Sequence, residues 1–356
     1  MASEEDLAQI RALLRVVNVD TDVLLTEPND VPTIGTEEVP VMGGGGATRT
    51  ICVKERLHVG NAVMDGMELR LRSLHFTELP DLYQTLVFMW ASRDGRSGFV
   101  NEVLTFDSHR AMLLAFVFRE AARRLADGQS AAAPADSRAA ALRTWTRDGV
   151  CLLGLGGGAI ARTLASVFPE IDMDAVELDP AVVQLASKWF GFQASANVRV
   201  HTMCGLEYMR TCGRRFGVVL LDIESGADDM EAPPRSFISP EALQLTKACL
   251  VPTGVFVINI VIEREHLKLY NALVGSLRNV WNHVWVVRVD DANLLSFASD
   301  VEPPSDMAPD IDRLLVDTEL DDRFFGLHAT ARAMVSKTQS RRAVQRSSKR
   351  RRSKGR

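Results

Sequence analysis

The spacing of hydrophobic residues changes along the first third of the chain. Residues 4–16 have apolar positions at helical spacing and predict a short helix, and the Pro- and Gly-rich stretch after it, up to Gly46, predicts a loop. Between residues 49 and 90 apolar and polar positions alternate, which predicts a small antiparallel sheet. Its three strands are expected at 49–59, 67–76 and 83–90. Helical spacing returns over 109–126, and an Ala- and Ser-rich break at 128–141 predicts a loop or an insertion.

Beyond residue 148, strand and helix patterns alternate without interruption. Strands are expected at 150–155, 174–178, 198–202, 216–222, 254–262, 283–289 and 293–299. Helices are expected between them, near 158–168, 179–190, 204–212, 239–250 and 263–281. The early strands are apolar on both faces, as in strands buried between two helix layers. Five strand–helix units followed by two adjacent strands predict an α/β fold, in which a mostly parallel, Rossmann-like sheet of seven strands ends in an antiparallel hairpin, as in methyltransferases.

Charge separates the end of the chain from its body. Residues 332–356 contain eleven Lys and Arg and no Asp or Glu, which leaves 30 basic against 46 acidic residues elsewhere, a net charge of −16. A like-charged segment cannot bury a core, so this tail is expected to be disordered. Its cluster KRRRSKGR is a candidate nuclear-import signal and a weaker candidate for contact with RNA, the alternative being a solvated end without a role. The expected location is cytoplasmic or nuclear, or both. The expected regions are an N-terminal helix, loop and β-rich extension (1–100), the α/β domain (101–300), a C-terminal extension (301–331) and the tail (332–356).

Composition excludes several other classes of protein. Hydrophobic residues make up 46% and charged residues 24%, the profile of a soluble globular chain. Five cysteines without a CxxC pair argue against a disulfide framework, and the seven histidines form no HExxH or HxxxH pair, so no metal site is expected. No run of 18 uncharged apolar residues occurs and the start is acidic, so neither a membrane span nor a signal peptide is expected.

A glycine-rich turn follows the first strand of the α/β region. Gly154, Gly156 and Gly158 can adopt positive φ and let a ligand approach the free N–H groups where the next helix begins. This context predicts a nucleotide-type ligand, the alternative being a tight turn without one. Because Gly154, Gly156 and Ala159 also satisfy GxGxxA, the turn alone does not exclude a nicotinamide dinucleotide.

Polar residues follow the second and third strands. Glu177 lies twenty-three residues after Gly154, where a carboxylate can accept both hydroxyls of an adenosine ribose; the alternative is a solvated strand end. Asp179 is expected to cap the next helix, with Pro180 at its first position, and is a weaker candidate for cofactor binding. Cys204 and Gly205 follow the third strand, where an adenine amino group usually finds its partner.

The fourth strand ends in acidic residues. Asp222 and Glu224 are the candidate catalytic residues, because a carboxylate can hold an attacking amine or accept its proton, and Asp222 is also a candidate cofactor contact. Carboxylates suit a positively charged methyl donor better than a hydride acceptor, which favours S-adenosylmethionine as the cofactor. The alternative for Asp222 is a helix cap. The segment PPRSF at 233–237 is a candidate substrate-facing loop.

Six segments in order carry a family resemblance. They are GLGGG (154–158), DAVELDPAVVQLASKWFGF (174–192), VRVHTMCGLEYM (198–209), LLDIES (220–225), APPRSF (232–237) and PTGVFVINIV (252–261). Together they resemble the C-terminal-domain type of the methyltransferase-like protein 13 family, in the spermidine-synthase-like branch of S-adenosylmethionine-dependent methyltransferases. The resemblance covers about residues 148–300. It implies a protein substrate, since in that family this domain methylates the N-terminal amine of elongation factor 1-alpha and a separate domain methylates a lysine.

Two positions depart from the family pattern. Cys204 stands where family members carry an acidic residue, so the adenine contact can fall to backbone groups or to Glu207. Ala159 stands where spermidine synthases have an Asp that helps to hold the aminopropyl donor, which counts against polyamine synthesis. An aminopropyltransferase and a catalytically silent binding module of the same fold remain the alternatives, because fold similarity alone does not separate them.

Overall fold

The computed structural model of the chain contains two sheets and two compact units. The residues it describes are 6, 9–10, 32–40, 48–57, 63–64, 66–77, 79–101, 103–128, 138–223, 232–261, 267–289, 293–302, 306–320 and 322–332. The first unit joins Met1–His109 to Cys151–Thr211, and the second joins Arg110–Val150 to Cys212–Arg356. The first predicted helix is described only at residues 6, 9 and 10, which are helical, and the tail beyond residue 332 lies outside the described residues. The regional boundaries at 100, 300 and 331 stay predictions.

The N-terminal sheet lies within the first unit. In the described residues its strands are Thr33–Pro40 (β1), Thr48–Leu57 (β2), Val63–Met64 (β3), Met67–Phe76 (β4), Leu79–Ser92 (β5) and Ser97–Phe99 (β6). They pair antiparallel in the order β1-β2-β4-β5-β6, with β3 beside β4. The three predicted strands are confirmed as β2, β4 and β5. The loop predicted before residue 46 is wrong for β1, because pairing with β2 satisfies its backbone despite the glycine and proline it contains.

The second sheet has the predicted topology. Its strands are Val150–Leu153 (β7), Met173–Glu177 (β8), Val198–Thr202 (β9), Phe216–Leu221 (β10), Leu250–Val261 (β11), His283–Arg288 (β12) and Asn293–Ser299 (β13). Their order is β12-β13-β11-β10-β7-β8-β9. The pairs β8–β9 and β10–β11 are parallel, whereas β13 is antiparallel to both β11 and β12. Every residue of β7 and of β10 is buried, as the two-sided apolar pattern predicted. This is the Rossmann-like, seven-stranded methyltransferase arrangement.

Helices follow most of these strands. Those described are Asp107–Met112 (α1), Leu114–Ala126 (α2), Arg138–Trp145 (α3), Ala159–Val167 (α4), Pro180–Phe190 (α5), Gly205–Thr211 (α6), Pro240–Ala248 (α7), Leu267–Val280 (α8), Ala308–Thr318 (α9) and Asp322–Phe325 (α10). The predicted 109–126 helix is therefore interrupted at Leu113. The loop predicted at 128–141 is wrong for α3: Trp145 is fully buried and its indole N–H donates to Asp317 at 2.7 Å, and this tertiary anchoring outweighs the weak helical pattern.

Two arginines hold the carboxyl end of α5 within the first unit. Arg72, on β4, donates to the carbonyl of Trp189 at 2.7 Å, and Arg162, on α4, donates to the carbonyl of Phe190. Both guanidinium groups lie over the ring of Phe99, at 5.7 and 4.7 Å from its centroid. Cations at a helix carboxyl end are stabilised by the unpaired carbonyl groups and the helix dipole. The N-terminal sheet therefore helps to fix this helix in place.

No helix in the described ranges is long and apolar enough to cross a membrane. Within the same ranges, no three His, Cys, Asp or Glu side chains are grouped so that they could hold a metal ion.

Candidate active site

The glycine-rich turn adopts the backbone that the sequence predicted. Gly154, Gly156 and Gly158 have φ angles of 95°, 52° and 78°, in the left-handed region that side chains disfavour. Gly158 is the N-cap residue of α4. A Cβ placed on Gly156 would be in ordinary van der Waals contact with the Oγ1 of Thr85, at 3.6 Å, so the positive φ rather than crowding favours glycine here. The turn therefore depends on glycine for its backbone conformation.

Gly157, the remaining glycine of the turn, is required for a different reason. The Gly157 N–H donates to Thr85 Oγ1 at 2.9 Å, and a Cβ on Gly157 would lie only 2.5 Å from Thr85 Cγ2. Thr85 lies on β5, is 3% exposed, and donates its own hydroxyl proton to the carbonyl of Gln84. The sequence analysis missed Thr85, since nothing in the local pattern links residues 72 positions apart. Strand β5 thus helps to fix the conformation of the turn through Thr85.

Glu177 is held between the glycine turn and the start of α5. Its Oε2 accepts the N–H of Leu155 and its Oε1 accepts the N–H of Asp179, both at 3.1 Å. The side chain is half-buried. Because each carboxylate oxygen can accept more than one hydrogen bond, both retain capacity for hydroxyl donors. Glu177 is therefore oriented in advance at the carboxyl end of β8.

The two residues after Glu177 differ in their surroundings: Leu178 is exposed, and Asp179 caps a helix. Asp179 accepts the N–H of Ala181 at 2.8 Å and Pro180 is the first helical residue, so the predicted helix cap is confirmed. A role of Asp179 in cofactor binding stays a prediction. Leu178, between the two acidic residues, is 47% exposed. An exposed apolar side chain beside an oriented carboxylate provides a surface for the flat face of a base.

Cys204 and Gly205 lie where β9 gives way to α6. The N–H of Met203 donates to the carbonyl of Glu177 at 2.9 Å, which continues the β8–β9 pairing up to the site. The carbonyl of Cys204 accepts the first helical hydrogen bond of α6, from Tyr208, and the Cys204 side chain is half-buried. Gly205 is buried, whereas Glu207 is exposed. Backbone pairing thus places this turn next to Glu177 in the sheet.

Asp222 belongs to the second unit and is held by a residue that the sequence analysis did not select. It follows β10, is half-buried, and its Oδ1 accepts a hydrogen bond from Asn259 Nδ2 at 2.9 Å. Glu224, the other predicted catalytic residue, lies outside the described residues. The PPRSF segment contributes a short 3-10 helix, Arg235–Ile238, after which Ser239 caps α7.

The first-unit residues fit an adenosyl group. The carboxylate of Glu177 can accept ribose hydroxyls, and Leu178 can cover one face of the base. The fold and this turn together define the Rossmann-like class that includes S-adenosylmethionine-dependent methyltransferases and spermidine synthases.

Known proteins of both kinds are similar to the chain, although no protein-family model matches it. The human eEF1A lysine and N-terminal methyltransferase is 33% identical over 150 residues, which cover 39% of this chain and 21% of that protein. A polyamine aminopropyltransferase of Vibrio vulnificus (strain CMCP6) is 34% identical over 143 residues, covering 39% of this chain and 46% of that protein. A probable spermidine synthase from Corynebacterium glutamicum ATCC 13032 shares the fold, with a TM-score of 0.53 at 18% identity over 80% of this chain and 87% of that one.

These similarities confirm the predicted resemblance to spermidine-synthase-like methyltransferases. They also define its extent, because the chain spans about a fifth of the length of the eEF1A methyltransferases that it matches.

Proposed function

We propose that this protein transfers a methyl group from S-adenosylmethionine to an amine of a protein. The observation that carries the proposal is Glu177, a half-buried carboxylate held by the N–H groups of Leu155 and Asp179 at the end of β8. A carboxylate in this place, after a glycine turn, is suited to the ribose of an adenosyl donor. The similarity to methyltransferases over 150 residues supports the methyl donor.

The chain's own residues have two tasks in this reaction. Bound S-adenosylmethionine supplies a methyl carbon that its sulfonium activates for in-line displacement, so alignment accounts for much of the rate. The glycine turn, Glu177 and the Cys204–Gly205 turn are assigned to the donor. Asp222 is assigned to the acceptor, whose amine must be neutral to attack; the carboxylate holds its N–H groups or takes up its proton. Glu224 is the second candidate for that role.

An N-terminal amine or a lysine is the proposed acceptor, and a translation elongation factor is the first protein to test. This rests on the printed name of the relatives, eEF1A lysine and N-terminal methyltransferase. An aminopropyltransferase is the second candidate, favoured by the similarity to the Vibrio polyamine enzyme. Ala159, where spermidine synthases have an acidic residue, opposes it.

Titration calorimetry can separate the candidates for the donor. We expect S-adenosylmethionine and S-adenosylhomocysteine to bind the full chain, and decarboxylated S-adenosylmethionine and NAD to bind at least tenfold more weakly. Preference for the decarboxylated donor would establish the aminopropyltransferase, and no binding of any of the four would establish a silent module.

The acceptor can be identified by labelling. Full-length protein and tritiated S-adenosylmethionine are added to a cell extract and, separately, to recombinant eEF1A, and the labelled species are identified. We expect label in protein. Label in small molecules or RNA would contradict the protein acceptor.

The basic tail is proposed to direct cellular location rather than catalysis. Its dense Lys and Arg residues and lack of aromatic residues suit an import receptor, or an electrostatic contact with RNA that weakens with salt, better than base stacking. A nuclear fraction beside a cytoplasmic one is therefore expected.

A further inference from the structure

Asn259 is a polar residue in an otherwise apolar part of β11. The four residues before it, Val255–Ile258, are fully buried, and Ile260 after it is 3% exposed. Asn259 itself is 7% exposed. An amide buried in such a strand costs free energy unless its polar atoms are paired.

The pairing of Asn259 is incomplete in a specific way. Its Nδ2 donates to Asp222 Oδ1 at 2.9 Å, whereas its Oδ1 is buried and has no hydrogen-bond partner in the part of the chain that the structure describes. A buried acceptor without a partner destabilises the folded state. A leucine, which has the same branched shape and the same number of side-chain heavy atoms, would avoid this cost, so the stability of the strand does not explain an asparagine here.

The strand register places Asn259 level with Asp222. Leu221 on β10 pairs with Ile258 on β11, so the residues that follow each of them are brought side by side at the carboxyl ends of two parallel strands. Asn259 is also flanked by β13, where it pairs with Leu295, so its own strand is held on both sides. A donor on such a strand has little freedom to move, and its hydrogen bond limits rotation of the Asp222 carboxylate.

We infer that Asn259 is a positioning residue, which orients the Asp222 carboxylate toward the acceptor amine at the expense of the stability of β11. The inference rests on the proposed function, since it assigns Asn259 to the reaction through Asp222. A positioned carboxylate accelerates the reaction only when it is held at the correct angle to the attacking nitrogen. Asn259 is not expected to contribute to binding of the donor.

The test compares Asn259→Leu with wild type in three measurements. The rate of tritium transfer from S-adenosylmethionine into total cell-extract protein is expected to fall by about 10- to 100-fold, in line with the loss of a positioning contact. The dissociation constant of S-adenosylhomocysteine is expected to stay within about twofold, and the midpoint of thermal unfolding to stay the same or rise. Turnover within threefold of wild type would overturn the inference. So would a loss of S-adenosylhomocysteine binding that parallels the loss of rate.

A matched control and a double mutant protect the test from a general folding defect. Ser296, on β13, is fully buried and its Oγ also has no partner among the described residues, so Ser296→Ala should leave the rate unchanged. In an Asp222→Ala background, Asn259→Leu should cause no further loss, because residues that act through one another are not additive. Additive losses would show that Asn259 acts independently of Asp222 and would overturn the inference.

If wild-type protein binds no S-adenosylhomocysteine and transfers no label, the proposed function fails. The inference about Asn259 fails separately, when wild type is active and the variants do not behave as stated.

Discussion

The carboxylates that end β8 and β10 are held in different ways. Glu177, in the first unit, is fixed by backbone N–H groups from residues two and twenty-two positions away, both within the turns that the sequence motifs define. Asp222, in the second unit, is fixed by a side chain thirty-seven positions away on another strand. Backbone donors recur wherever the turn forms, whereas a side-chain donor must be encoded separately. The comparison indicates that the position of Glu177, proposed to bind the methyl donor, depends on the turn, whereas the position of Asp222, proposed to bind the acceptor, depends on one individual side chain.

Glu177→Ala should have the largest effect on ligand binding. We expect affinity for S-adenosylhomocysteine to fall by about 100-fold or more, because both ribose hydroxyls lose their acceptor. The loss of two backbone partners should also lower stability, by about 1 kcal/mol for each hydrogen bond. Titration calorimetry and thermal unfolding measure the two effects. Glu177→Gln, which keeps one acceptor oxygen, should show an intermediate affinity; undiminished binding by the alanine variant would place the ribose elsewhere.

Asp222→Ala should have the opposite effect, with ligand affinity retained and the methyl-transfer rate lost. We expect S-adenosylhomocysteine to bind within about threefold of wild type while the methyl-transfer rate falls by about 100-fold, as for the loss of a general base. Steady-state rates on the labelled acceptor, together with calorimetry, test this. If turnover survives within a few-fold, Asp222 has only a structural role and the two carboxylates do not divide the work as proposed.

Thr85→Val should weaken ligand binding at the glycine turn, although Thr85 lies outside the glycine-rich motif. Valine keeps the shape of threonine but removes the oxygen that accepts the Gly157 N–H, so we expect about tenfold weaker S-adenosylhomocysteine binding, corresponding to the loss of one buried hydrogen bond. Thr85→Ser retains the oxygen and should bind like wild type. Equal affinities of the two variants would show that β5 does not influence the turn.

Truncation after Ala331 should have the smallest effect in vitro. We expect an unchanged methyl-transfer rate on a purified acceptor, since the tail lies beyond the last strand, and an altered cellular distribution measured by imaging of a fluorescent fusion. A truncated enzyme that loses activity would show that the tail recruits substrate, and an unchanged distribution would leave the tail without a localising role.

What the sequence predicts well is local. The α/β strands, the positive φ angles of the glycine turn and the cap at Asp179 each follow from a few adjacent residues, and all are confirmed. The strand β1 and the helix Arg138–Trp145 were predicted wrongly, because pairing with β2 and burial of Trp145 determine them from a distance.

The same limit applies to the candidate site. Thr85 lies outside the six segments that carry the resemblance, whereas Asn259 lies inside the last of them, 252–261, where no local pattern distinguishes it. Each contact is recognisable only once a distant partner is known. Neither a threonine in an alternating strand nor a single asparagine in an apolar one distinguishes a functional contact from ordinary packing.

The two arginines that contact the end of α5 affect the choice of boundaries for an expressed fragment. Arg72 and Phe99 precede residue 148, where the resemblance to methyltransferases begins, yet they hold the helix that starts beside Glu177. A gene fragment designed on that boundary would encode the glycine turn without Thr85 and the helix without one of its two guanidinium caps. The segment that carries the resemblance is therefore shorter than the segment whose contacts support the glycine turn and α5, and expression vectors should retain the N-terminal strands.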